Sequence, residues 1–522
     1  MQPLDRRSFV RFAAALAGTA ALTEAAPASW LRPTVRPRFR RDPFLMGVAS
    51  GDPDATSVVL WTRLVPEPFA PDGGMGKDSV RVTWELGEDE LVRKVVQSGT
   101  TLATPELGHS VHVEVQNLQP DRHYWFRFRA GDAESPIGRT RTLPAADTMP
   151  KAARFAVTSC QNWEQGLFTA YTQMRNDDPD LVFHLGDYIY EYEAGRNGKV
   201  RTHHGKEIES LDDYRMRHAQ YRSDPLLQAM HAECPWFVTW DDHEVDNNYA
   251  NDVSEQKNVG KAAFLRRRAA GYQAYYEAMP LRLRSKPDGA DMLLYRRASY
   301  GQLAELFVLD TRQYRSDQPN DDKRGPLRGE ALAAEQTLLG AAQRRWLERG
   351  LGASRARWNV LAQQVMMACA ATAKDQAGEP LYSMDQWPGY FAERQAVLRH
   401  CQQQKVANPI VLTGDIHSNW CNELRLDDRR SEQPVVATEF VATSLSSGGD
   451  GNDGEKQRNE LMANNACVKF HNRQRGYLLC TVDAAQWRTD YVVMDRVEAP
   501  GGTASVRASF VVADGEPRVQ TA

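Results

Sequence analysis

Beyond its N-terminus, this 522-residue chain has no apolar run long enough to cross a bilayer. It has no CxxC pair, which leaves zinc-ribbon and thioredoxin-like readings without support. It has no excess of one charge. The formal net charge is -4 and the sequence pI about 6.3, so nothing points to a nucleic-acid-binding surface or a membrane surface. There is no internal repeat and no low-complexity segment. No serine stands in a nucleophile-elbow context, so no covalent phosphoserine is expected. Cysteine is sparse, seven in all, and an odd number leaves at least one thiol unpaired within the chain. What remains is 42% hydrophobic and 25% charged, the make-up of a soluble globular protein. The length predicts two domains, or one large domain with an appendage.

The N-terminus reads "DRRSFVRFAAALAGTAALTEAAPASW". Arg6 and Arg7 precede Ser8 and Phe9, an apolar run follows from Phe12 to Leu22, and Ala26 to Ser29 offer small residues for cleavage. Residues 1–28 resemble a twin-arginine export signal, with a Sec signal or a basic N-terminal helix as the alternatives. The twin-arginine machinery carries folded proteins, often with metal inside. The mature protein is therefore expected to be periplasmic or secreted, and monomeric.

Residues 40–145 read as an all-β domain. "SVVLWTRLV" is a strand with Trp61 inside, and Val111, Val113 and Val115, then Tyr124, Phe126 and Phe128, alternate with period two. "LQPDRHYWFRF" resembles the late strand of an immunoglobulin- or fibronectin-like sandwich, where a tyrosine closes the corner. No catalytic cluster stands out there, so a packing or substrate-shaping module is expected. Residues 150–500 alternate strands and helices and predict an α/β catalytic domain, with residues 501–522 left as a tail. The buried strands are "RFAVTS", "DLVFHLG", "WFVTW", "LAELFVLD", "RWNVLAQ" and "PIVLTG". Helices are expected over 165–176, 261–279, 335–351 and 390–405. "SSGGDGNDGEKQ" reads as a flexible loop.

In α/β folds, ligand groups sit just past the carboxyl ends of strands. Those positions hold Cys160, Gln161 and Asn162; Asp187, Tyr188, Tyr190 and Glu191; Asp241, Asp242 and His243; Thr311 and Arg312; Asp415 and His417. These are metal-ligand types, and so many carboxylates need cations among them. Each has a plainer reading. Cys160 could be a buried structural thiol, and Asp241 and Glu244 could cap local backbone. His184, inside a strand, reads as a core histidine. His203, His204, His218 and His231, in the long insertion after "DYIYEYEAG", read as solvated or as lying behind the ligands. Gln363 and Gln364 read as structural. Arg312 and Arg315 suit two phosphate oxygens by their planar fork.

"SCQN", "GDYIYEY", "WDDHEVDNN" and "GDIHSNW", in that order, resemble the PhoD-type alkaline phosphatases, a branch of the calcineurin-like metallophosphoesterases. The resemblance runs from the export signal through "MGVASGDPDATSVVLWTRL" to "RGYLLCTVDAAQWRTDY". It implies a metallophosphoesterase α/β sandwich of mixed sheets flanked by helices, behind an N-terminal all-β domain. The superfamily's opening Asp-x-His pair is replaced at Cys160, and its closing Gly-His-x-His by Gly414, Asp415, Ile416 and His417. In this branch the pattern implies a ferric ion (Fe3+) with calcium ions (Ca2+), rather than a dizinc or dimanganese pair (Zn2+ or Mn2+). Metal ligands by this match are Cys160, Asp187, Tyr190, Asp242, Asp415 and His417, with an amide such as Asn248 as a further oxygen donor. Thiolate, phenolate and imidazole suit high-valent iron, and calcium prefers oxygens.

The implied activity is hydrolysis of phosphate mono- or diesters by a metal-activated hydroxide, with His243 and Arg312 as the catalytic side chains. A phospholipase D-like phosphodiesterase on lipid or cell-wall diesters is the alternative. The loops expected to select substrate, 193–224 and 446–464, carry no readable code.

Overall fold

The computed structural model describes residues 38–522; the expected export signal lies outside them. Two large sheets form the body. The first has ten strands in the order Glu516–Thr521, Ala504–Ala513, Gln486–Met494, Gly476–Val482, Ala153–Thr158, Leu181–Leu185, Trp236–Thr239, Val48–Gly51, Val58–Arg63 and Ser110–Val115. The second has seven: Arg296–Tyr300, Ala304–Val308, Trp358–Ala362, Pro409–Thr413, Ala437–Val441, Asn419–Leu424 and Val468–Asn472. Each is parallel at its centre and antiparallel towards its edges.

All six strands expected in the α/β region are present, at these central positions. They are continuous apolar runs because both faces are covered. Phe155, Val157, Phe183 and Leu185 of one sheet meet Leu306, Val360, Ile410 and Leu412 of the other. Phe183 pairs in register with Phe237 on the neighbouring strand. Each such side chain contributes roughly 1.5–3 kcal/mol by leaving water. Helices cover the outer faces. Gly340–Ala353 and Phe391–Gln404 lay Leu347, Leu351, Val397 and Leu398 on Phe307, Leu361 and Val411. Lys261–Ala278 packs Tyr272 and Tyr275 against Trp240, at the end of the strand Trp236–Thr239. The result is the four-layer sandwich of mixed sheets and helices that the motifs implied.

The N-terminal all-β module is also present. Val58, Leu60, Val111 and Val113 of the first sheet face Val82, Leu86, Phe126 and Phe128 of a separate five-stranded sheet. The corner tyrosine is Tyr124, whose hydroxyl accepts the Gln119 N–H at 3.0 Å. The module is not hydrogen-bonded only to itself. Val48–Gly51 pairs in parallel with Trp236–Thr239, joining it edge-on to the catalytic sheet. Gly51 is required at this seam, since a Cβ there would lie 2.5 Å from Pro280 O and 2.8 Å from Trp236 O. Trp61 donates to Glu277 O at 3.0 Å, and the Arg222 guanidinium lies over its ring.

Three segments differ from expectation. Residues 504–521 are two edge strands instead of a tail, because Trp487 and Tyr491 need Phe510 and Val512 over them. The insertion after "DYIYEYEAG" folds into the helices Leu211–Arg222 and Pro225–His231, started by a Ser210–Asp213 capping box and by Asp224. Of its histidines, His204 is exposed, as one of the two readings had it, while His203, His218 and His231 are buried. In "SSGGDGNDGEKQ", Ser446 and Ser447 are buried, and Glu455 opens a helix that runs to Asn464. Among the described residues no helix is long and apolar enough to cross a membrane.

Candidate metal centre

The carboxyl ends of the central strands of both sheets open on one rim, and the turns there are tight. Cys160, Asp187, Asn248, Asp415 and His417 all have φ between 50° and 66°. That left-handed region is costly for residues other than glycine and persists only where the surroundings over-determine it. Gly186 (φ 103°) lets the Asp187 loop approach the next strand's end; a Cβ there would lie 2.4 Å from Asp241 Cβ. Glu244 ties the two loops together by accepting N–H bonds from Asp187 (3.1 Å), Tyr188 (2.6 Å) and Asp241 (2.8 Å). Its backbone-capping reading holds.

Two groups of donor atoms form here, each with all its atoms within 4.8 Å of one another. One joins Cys160, Asp187 and His417; the other joins Asp187, Asp242 and His243. Asp187 belongs to both. The Tyr190 hydroxyl donates to Asp187 Oδ2 at 2.9 Å and lies 3.2 Å from His417 Nε2 and 2.7 Å from Ser447 Oγ. Asp242 Oδ2 accepts the Asn248 N–H at 2.7 Å, and Asp415 Oδ2 accepts Gln386 Nε2 at 3.1 Å.

The electrostatics fit a cation between these groups. Burial, then neighbouring acids, pushes Asp187 well above the usual carboxylate range. Burial pushes the Cys160 thiol and the Tyr190 phenol up as well. Asp187 Oδ1 and Asp242 Oδ1 are buried without a hydrogen-bond partner among the described residues. Such atoms are costly unless something positive faces them. Burial, then Arg475, holds His417 down at about 3, so its imidazole is neutral, the form that ligates metal. The donor set of thiol, phenol, imidazole and carboxylate is of the kind that holds metal ions.

His243 is held by Glu191, which the sequence grouped with the metal-ligand types past the strand ends and which the structure turns to this histidine instead. Its Nδ1 lies 2.7 Å from Glu191 Oε2, while Glu191 Oε1 accepts the Asn247 N–H at 3.1 Å. Burial opposes charge on the imidazole, but Glu191, Asp242 and Asp187 together hold His243 protonated well above its ordinary range. Tyr190 and Tyr192 flank its ring.

Arg312 is fully buried. Its Nε donates to Asp241 Oδ1 at 2.5 Å, and Nη1 and Nη2 bind Asp385 bidentately at 2.7 and 2.9 Å. Nη2 also lies 3.9 Å from both Asp242 Oδ1 and Asp415 Oδ1. Arg315 adds a bond of 2.6 Å to Asp385. Asp385, Gln386 and Ser447 went unnoticed in sequence because they lie on connections without a strand end or motif. His184 is buried against Trp236, and Gln363 and Gln364 bond to Thr413, Thr311 and Thr239 inside the fold. These three are structural, as read. All seven cysteines are unpaired.

Residues 155–491 match the PhoD-like phosphatase family, and residues 28–144 match the N-terminal domain of PhoD-like phosphatases. The chain is 49% identical over 512 residues to alkaline phosphatase D of Bacillus subtilis (strain 168), covering 97% of this chain and 87% of that one. A solved structure of PhoD, also 49% identical, superposes with a TM-score of 0.90 over 93% of each chain.

Proposed function

The chain belongs to the PhoD-like phosphatase family and is a phosphoric ester hydrolase, and on that premise we propose a ferric ion held by Cys160, Asp187, Tyr190 and His417 beside calcium held by Asp187, Asp242, Asp415 and Asn248. Metal dependence comes with the family; the identity of the ions and their ligands is our reading. The observation that carries it is the meeting of Cys160, Asp187 and His417 donors around the Tyr190 hydroxyl. When bound, such ions lower the pKa of water and offset negative charge on a phosphoryl group.

The chain's own residues supply the rest. Asp187 lies between the two donor groups and sets their spacing. His243, oriented and kept protonated by Glu191, presents Nε2 to the substrate, where it stabilises phosphoryl oxygens or gives a proton to the leaving alkoxide. We assign Arg312 a counter-charge role. Its donors are engaged by Asp241 and Asp385, so it offsets the acids around the centre and holds their loops in place. Export by the twin-arginine machinery, in a folded and metal-loaded form, is part of the same reading.

The test is hydrolysis of p-nitrophenyl phosphate and its bis ester by purified protein, with metal analysis of the same sample. Iron, calcium and a visible charge-transfer band are expected. A colourless, fully active enzyme containing only zinc would reject the iron assignment.

A further inference from the structure

His417 has a second neighbour. Past it lies an open cavity of about 420 Å³ walled by Arg324, Arg473, Arg475, Trp420 and His471. No Asp or Glu lines it, in a chain whose net charge is -4. Among the described residues none of the three arginines forms an ion pair; Arg473 reaches only Gln457 Oε1, at 3.3 Å. Arg475 is 3% exposed. One of its terminal nitrogens donates to His417 O (2.7 Å) and Ser444 Oγ (2.6 Å), and its Nε has no partner among the described residues. A buried guanidinium with an unmet donor and no ion-pair partner, with Asp450 acting on it only at longer range, has room for a bound anion.

His417 belongs both to the metal-ligand cluster and to the cavity wall. A phosphoryl group at the cluster therefore has this cavity as an adjoining space for the alcohol it is esterified to. We propose that the cavity is a subsite for a second phosphate group carried on that alcohol, bound by Arg475 at its base and by Arg473 and Arg324 at its mouth. The substrates it favours are esters with two phosphates separated by a short linker. Planar guanidinium forks match phosphate oxygens in pairs, and Trp420 gives the linker an apolar wall. The inference rests on the hydrolase assignment above and adds substrate class to it.

The experiment compares phosphate release from 1,3-propanediol bisphosphate and 1,3-propanediol monophosphate. For the native enzyme the ratio of kcat/KM values should be about tenfold or more, carried mainly by KM and falling as salt is raised, as one or two charge-assisted contacts produce. The two equivalent ends of the bisphosphate account for only a factor of about two by counting. Arg324→Gln combined with Arg473→Gln, both at exposed positions, should bring the ratio close to that factor. Arg475 is left intact because it also holds the His417 carbonyl. A native ratio near two, or a ratio unchanged in the folded double variant, overturns the subsite. Release from neither compound by enzyme that hydrolyses p-nitrophenyl phosphate or its bis ester overturns the subsite alone; no hydrolysis of any of the four overturns the hydrolase assignment with it.

Discussion

Nδ1 of His243 lies 2.7 Å from Oε2 of Glu191, and both side chains are buried. This contact fixes which imidazole nitrogen is left to face the metal-ligand cluster, and it supplies the largest upward pull on the His243 pKa after burial's opposing effect. Glu191→Gln keeps an acceptor at that place but removes the charge. The alkaline limb of kcat/KM should move to lower pH by about one unit or more, with KM little changed. A limb that stays in place would detach His243 from the proton chemistry.

Cys160→Ser removes the softest donor from the cluster with little change in volume. Iron content and visible absorption should fall together, and kcat by about a hundredfold. The melting temperature of the metal-free protein should change little. Normal iron content in the variant would return Cys160 to the plain reading of a structural thiol.

Arg312→Gln separates a counter-ion from a substrate contact. Leaving Asp241 buried without its partner, and Asp385 with Arg315 alone, should cost about 3–5 kcal/mol, seen as a large drop in unfolding midpoint. A residue that merely touched phosphate would raise KM and leave the midpoint alone.

Gly186→Ala asks a left-handed backbone to carry a Cβ that would sit 2.4 Å from Asp241 Cβ and 2.5 Å from its backbone nitrogen. Both loops would have to separate. Loss of about 2 kcal/mol or more and depleted metal are expected, measurable by urea unfolding and metal analysis.

Acid should weaken the fold through its buried neutral histidines. Burial lowers His184 and His218 to about 3, with arginines adding to the effect at His218. Below the unfolded value of about 6.5 the unfolded chain binds protons that the native chain refuses, so stability falls as pH drops from about 6.5 towards 3. Each contributes a slope of up to roughly 1.4 kcal/mol per pH unit. His184→Phe, in a position stacked on Trp236, should flatten the slope of unfolding free energy between pH 6 and 5, whereas an equally steep profile would assign the sensitivity elsewhere.

The sequence by itself determined the strands and the chemistry at their ends. "RFAVTS", "DLVFHLG" and "PIVLTG" are apolar runs that only a doubly covered sheet accommodates, and each stops at a residue of metal-ligand type. It also determined the main helices and the corner tyrosine, because these are local patterns with a fixed period or spacing. Only the tertiary structure decided which groups meet. Glu191 finds His243 across 52 residues, Arg312 finds Asp385 across 73, and Ser447 finds Tyr190 across 257. Such pairings arise when two sheets stack and bring their loop ends to one rim, and no spacing in the chain encodes them. The left-handed backbone at Cys160, Asp187, Asp415 and His417 was equally hidden. None of these is glycine; aspartate and histidine enter this region more readily than most residues, and at Cys160 the conformation is imposed by the packing around the loop.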